Sequence, residues 1–272
     1  MAVTAEVKDR VGWIAMDRPP DNAVDPVFLE ELDRCVGEVT EAEVAVAVIR
    51  SASEKVFSAG ADVKGYLERP PVESIAQHRR AQEVLGRFAD EAPLFIAAIA
   101  GHALGAGYEI ALACDIRIAA EGRYRIGFPE VTYGLLPGIG GTQRLPRLVG
   151  RGRALELLTT GRTVAPAEAE RLGMVDRLVP AGEFDKAVAD LAGGLAAGAP
   201  LAVSAITRVV NDGLEHPLAD ALDRELEELA ALFATQDVHE GVTAHTEQRA
   251  PGSPAADHAV RTGRPPARRR TR

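Results

Sequence analysis

Cysteine is nearly absent: of 272 residues only Cys35 and Cys114 carry a thiol, each inside an apparent helix. Two such positions make neither a disulfide framework nor a cysteine-based zinc site, and they suit a reducing cytosol, so a cytoplasmic location is expected. Aromatic residues are 4% of the chain, and lysine occurs only at positions 8, 55, 64 and 186. With few rings, the core must pack on small aliphatic side chains, and the 46% hydrophobic content supplies enough of them. Long apolar runs are missing too. Leu94 to Ala100 is among the longest, far short of the roughly 20 residues a spanning helix needs. The opening MAVTAEVKDR has acids and no apolar stretch, so no signal peptide and no membrane association are expected. The six histidines (78, 102, 216, 239, 245 and 258) show no metal-ligand spacing, and no metal or separate cofactor is expected. No GxSxG is present, and no GxGxxG follows a strand. The GIGG of residues 138–141 lacks the Lys-Ser/Thr of a phosphate loop.

What is present is unevenly charged. The net charge is −9, but Pro251–Arg272 holds six Arg against one Asp, about +5, leaving about −14 for residues 1–250. An acidic body is not expected to bind nucleic acid, whereas the tail is the one segment suited to RNA or phosphates. Composition predicts that this tail is disordered and solvated.

The patterning is that of a mixed α/β chain. A hairpin is predicted over residues 5–17, and Asp25-Pro26 reads as a helix cap followed by proline at the first helical position. Val44–Arg50 and Leu94–Ala100 are nearly all apolar, as in strands covered on both faces. A helix is predicted over 72–91 with Ile75, Leu85 and Phe88 on one side, and strands over 116–119, 125–128 and 174–179. Gly161 and Gly173 sit where helices end, and from about Glu183 onward the pattern is helical. There Leu218, Leu222, Leu226, Leu229 and Phe233 form an apolar stripe suited to covering a neighbouring subunit.

Two segments, VAVAVIRSASEKVFSAGADV and LFIAAIAGHALGAGYE, share a design: an apolar strand, small residues, then a turn into a helix. Small residues let a ligand approach the backbone, and a helix start offers N–H groups without partners. The N–H groups of Ala61 and Ala106 are candidates to hold a developing oxyanion. Glu109 is the only charged residue between His102 and Asp115, in a helix with no polar face. Burying a carboxylate unpaired costs several kcal/mol, so either an arginine partners it or function requires it. Glu130, between Pro129 and Val131, is a second acid in apolar surroundings. Two carboxylates in unlike environments divide acid and base roles. The helix start should keep Glu109 ionised, leaving Glu130 to hold a proton.

FSAGADVK (57–64), AGHALGAGYEIALACDIRIA (100–119), FPEVTYGLLPGIGGTQRLPRLVG (128–150) and RLGMVDRLVP (171–180) closely resemble the crotonase, or enoyl-CoA hydratase/isomerase, family. The match runs in order from about residue 5 to Pro251, and RPPDNAV (18–24) is similar to the family's first ligand-facing loop. The resemblance implies an α/β fold, a crotonase-like spiral of repeated ββα units with a C-terminal helical region. It divides the chain into a core (1–195), a helical trimerisation region (196–250) and the Arg-rich tail (251–272). It implies an acyl-CoA thioester substrate and assembly as a homotrimer or homohexamer. The family's oxyanion amides fall on Ala61 and Ala106, and its hydratase carboxylates on Glu109 and Glu130. Its substrate and CoA contacts fall on Ala23, Ala59, Gly60, Asp62, Val63, Lys64, Gly105, Gly107, Tyr108, Pro129 and Gly138. Arg18 and Lys64 are the cations expected at the CoA phosphates. Having both acids favours hydration of trans-2-enoyl-CoA over double-bond isomerisation, or dehydration in a specialised pathway. The alternative of another class is an RNA-binding or scaffold role for the tail. Three positions depart from the pattern: Ala106 replaces the middle glycine of a triplet, Tyr108 is expected to narrow the acyl pocket, and Gly252 stands where an aromatic is usual.

Overall fold

The computed structural model describes residues 1–63, 65, 69–91, 93–249 and 252. Lys64 and nearly all of the Arg-rich tail lie outside them. The chain opens with an antiparallel hairpin, Val3–Lys8 (β1) against Val11–Met16 (β2), turning at Asp9 and Arg10. Pro26–Glu41 (α1) follows, and the Asp25 carboxylate caps it by accepting the Phe28 N–H at 2.8 Å.

The strand–strand–helix design then recurs. Val46–Ser51 (β3) and Val56–Ser58 (β4) lead to Pro71–Asp90 (α2). Leu94–Ile99 (β5) and His102–Leu104 (β6) lead to Ala106–Ala113 (α3). Ile116–Ala120 (β7) and Ile126–Gly127 (β8) lead through a 3₁₀ turn, Glu130–Tyr133, to Gly141–Val149 (α4). After them come Arg151–Thr160 (α5), Thr163–Val164 (β9), Pro166–Leu172 (α6) and Arg177–Val179 (β10). The C-terminal helices are Phe184–Ala197 (α7), Pro200–Gly213 (α8), Leu218–Phe233 (α9) and Gln236–Thr246 (α10).

Each repeat after the opening hairpin splits its strands between two sheets. The first strand enters a six-stranded sheet ordered β1-β2-β3-β5-β7-β10, parallel apart from the opening hairpin. The second enters a four-stranded sheet ordered β4-β6-β8-β9. This is the ββα spiral that the resemblance implies. It explains the strands without polar residues: Ala47 and Ile49 face α1, α2 and α3, while Val46 and Val48 pack under Phe184, Val188 and Ala192 of α7.

Two expected strands are shorter than their sequence suggests. Met174 and Val175 both donate their N–H to the Ala169 carbonyl, closing the end of α6 past the left-handed Gly173, so β10 begins only at Arg177. The predicted strand over 125–128 keeps two residues in the ladder, Ile126 and Gly127. The Leu218–Phe233 stripe is between 43% and 75% exposed, and no residue of α9 is buried among the described residues.

Candidate active site

A cavity of about 870 Å³ opens where the small sheet meets the N-terminal end of α3 and the flank of α2. The loop before α1 contributes Ala23 and Val24, and the turn after β4 contributes Ala59, Gly60, Ala61, Asp62 and Val63. Gly105, Ala106 and Glu109 come from the third repeat, and Pro129, Glu130, Gly138 and Ile139 from the fourth.

Glycine brings the main-chain donors together. Gly60 has φ +104° and Gly105 φ +51°, both in the region that side chains disfavour. A Cβ on Gly60 would lie 2.8 Å from Leu104 O and 3.5 Å from Ala106 N, so the two turns are in direct contact. Val24 pairs with this turn: its N–H donates to Gly60 O and its carbonyl accepts from Asp62 N. The alternation leaves the N–H of Ala61 on the other edge of the turn, and Ala106 opens α3, where N–H groups have no helical partner. Neither N–H donates a hydrogen bond among the described residues.

Glu109 is 2% exposed and makes no ion pair among the described residues. Its Oε1 accepts instead from the N–H groups of Ile139 at 2.8 Å and Gly141 at 2.7 Å. The nearby Arg144 donates to Ile139 O at 3.0 Å, and burial lowers the pKa of its guanidinium. The GIGG segment therefore does bind an anion, but the anion is the protein's own carboxylate. Sequence reasoning passed over Ile139 and Gly141 because their donors are main-chain; consecutive glycines before a helix were the available signal.

Both acids leave the ordinary carboxylate range. Burial pushes Glu109 up to about 7, opposed by its two N–H bonds and reinforced by the charge of Glu130. Burial likewise pushes Glu130 up to about 7. Its Oε2 is buried with no partner among the described residues, and a Cβ on Gly105 would lie 2.6 Å from its Oε1. The expectation that the helix start keeps Glu109 ionised is corrected: burial raises its pKa.

Four other expectations change. Tyr108 does not narrow the cavity; its ring is fully buried on the far side of α3 against Phe128, and its hydroxyl donates to Met174 O at 2.7 Å. Gly107 is also absent from the cavity wall, and a Cβ there would meet Ser58 O at 2.5 Å, so it serves the packing of α3 on β4. Arg18 is spent within its own loop, donating to Ala23 O and pairing with Asp25. Ile75, expected on one side with Leu85 and Phe88, parts from those buried residues: it is 63% exposed and lines the cavity with His78 and Gln82 of α2 and with Tyr133, Leu135 and Leu136.

The chain is similar to known proteins over nearly its whole length. The family model described as enoyl-CoA hydratase/isomerase matches residues 6–253. A short-chain-enoyl-CoA hydratase of Clostridium acetobutylicum is 36% identical over 249 residues, covering 91% of this chain and 95% of that protein. A probable enoyl-CoA hydratase of Rhizobium meliloti is 37% identical over 248 residues, covering 90% and 94%. The crystal structure of an enoyl-CoA hydratase from Bacillus anthracis superposes with a TM-score of 0.88 at 33% identity, covering 93% of this chain and 99% of that one. With a spiral fold, two acids on one cavity and a family match over nearly its whole length, the chain belongs to the enoyl-CoA hydratase/isomerase family.

Proposed function

We propose that the protein hydrates trans-2-enoyl-CoA thioesters to 3-hydroxyacyl-CoA. The observation that carries this reading is that Glu109 and Glu130 line one cavity with pKa values both pushed up to about 7. Near neutral pH such a pair holds one proton between them, which addition of water across a double bond uses as acid and base. Glu109, which accepts two N–H bonds, is the better-stabilised anion; it orients the water and takes its proton. Glu130, with an unpartnered oxygen, delivers a proton to C2. The N–H groups of Ala61 and Ala106 hold the thioester oxygen as it gains charge, each worth about 3 kcal/mol in such sites. CoA enters as part of the substrate, and no separate cofactor takes part. The exposed stripe of α9 supports a contact with further copies of the chain, proposed as a homotrimer or homohexamer, and the two lone cysteines support a cytoplasmic location.

The test is a panel of CoA thioesters of varied chain length with the double bond at C2 or C3. Crotonyl-CoA and its 2-enoyl relatives are expected to take up water, and E130Q to lower kcat by at least about 100-fold while binding survives. Turnover confined to 3-enoyl substrates would replace hydration with isomerisation.

A further inference from the structure

We propose that Gln82 is the positioning residue for Glu109: through one peptide group it fixes the N–H that holds the Glu109 carboxylate. Gln82 projects from α2, a helix anchored by the buried Ala81, Val84, Leu85 and Phe88. Its Nε2 donates to Gly138 O at 2.7 Å. That carbonyl and the N–H of Ile139 belong to the same planar unit, and in a trans peptide they point in opposite directions. Gln82 therefore grips one edge of the plane while Glu109 Oε1 accepts from the other at 2.8 Å. Donation into the carbonyl polarises the peptide and strengthens its N–H toward the carboxylate, as in any hydrogen-bonded chain.

The second support of Glu109 is built differently. The Gly141 N–H shares its peptide with Gly140 O, which accepts from Gln143 N and Arg144 N at the start of α4. That arm ends on helix backbone, whereas the Ile139 arm ends on a side chain. Close approach of α2 makes the grip possible: Gly138 lies so near His78 that a Cβ there would come within 2.3 Å of the ring. The titratable and charged side chains around Glu109 are Glu130 on the 3₁₀ turn, Arg144 on α4, and Asp21, Asp25, Asp62, Arg69, His78 and Arg79 on the cavity wall. Replacing Gln82 by an uncharged residue changes none of them.

This proposal rests on Glu109 being the base of the hydration. The experiment compares full-length wild type, Q82M, which keeps the length and loses the donor, and Q82K, which keeps a donor. For Q82M, kcat is expected to fall about three- to tenfold with KM nearly unchanged. The acid limb of kcat/KM should move about half a unit to higher pH, because a weaker N–H stabilises the anion less. Q82K should recover most of the rate. An unmoved acid limb, a loss confined to KM, or equal impairment of Q82M and Q82K would overturn the proposal. Titration of ¹³C-labelled glutamate, with the Glu109 signal identified by its loss in E109Q, separates the two readings. A half-unit rise of Glu109 in Q82M without any hydration of enoyl thioesters would sink the hydratase and keep the role of Gln82. Hydration with an unmoved Glu109 titration would do the reverse.

Discussion

Replacing Glu109 by glutamine should make the protein more stable above neutral pH while disabling it. The folded carboxyl titrates at about 7 against an ordinary 4.5, a gap of about 2.5 units. At about 1.4 kcal/mol per unit, the ionised Glu109 costs the folded state about 3 kcal/mol. The folded pKa is the higher one, so between the two values the folded chain binds more protons than the unfolded chain. Stability from this group is thus intact below about pH 4.5, declines as pH rises through the window, and is fully lost above about 7. Glutamine is a neutral isostere whose Oε1 still accepts from Ile139 and Gly141, so E109Q escapes that decline. Urea unfolding at pH 5 and pH 8 measures it: E109Q should nearly match wild type at the first and exceed it by about 3 kcal/mol at the second. The same variant should lose at least about 100-fold in hydration of crotonyl-CoA. An E109Q protein less stable than wild type at pH 8 would refute the reasoning, because the carboxylate would then be a net support of the fold.

Two further outcomes are expected. Y108F removes the buried donor to Met174 O and should cost about 1–2 kcal/mol of stability, leaving the ranking of acyl chain lengths by kcat/KM unchanged; a changed ranking would return Tyr108 to the substrate. L226E places a charge in the middle of the α9 stripe and should lower the native mass in analytical ultracentrifugation, whereas an unchanged mass would remove that stripe from the subunit contact.

The fold was largely legible because its signals are local. Asp25-Pro26 carries the chemistry of a cap, and VAVAVIR and LFIAAIA are strands too apolar to face water. Glu109 and Glu130 stood out because each is an acid where the pattern allows none. What escaped was set by tertiary contact. Tyr108 looked like a pocket residue by the family resemblance, but the face of α3 it occupies depends on which side the sheet covers. Arg18 looked available for phosphate until the loop folded back and gave it Asp25. The Gly138–Gly141 segment lacks the lysine of a phosphate loop, and nothing local shows that a carboxylate 30 residues away seats itself on those N–H groups.

Because the donors proposed at Ala61 and Ala106 are main-chain atoms, genetic drift cannot easily erase them: every replacement except proline keeps the N–H. Side chains around the cavity are free to vary in size and charge while the proposed grip on a carbonyl oxygen persists. Tolerance to change should therefore be uneven across the site, high at the two alanines for any residue that fits and low at the glycines whose backbone angles aim them.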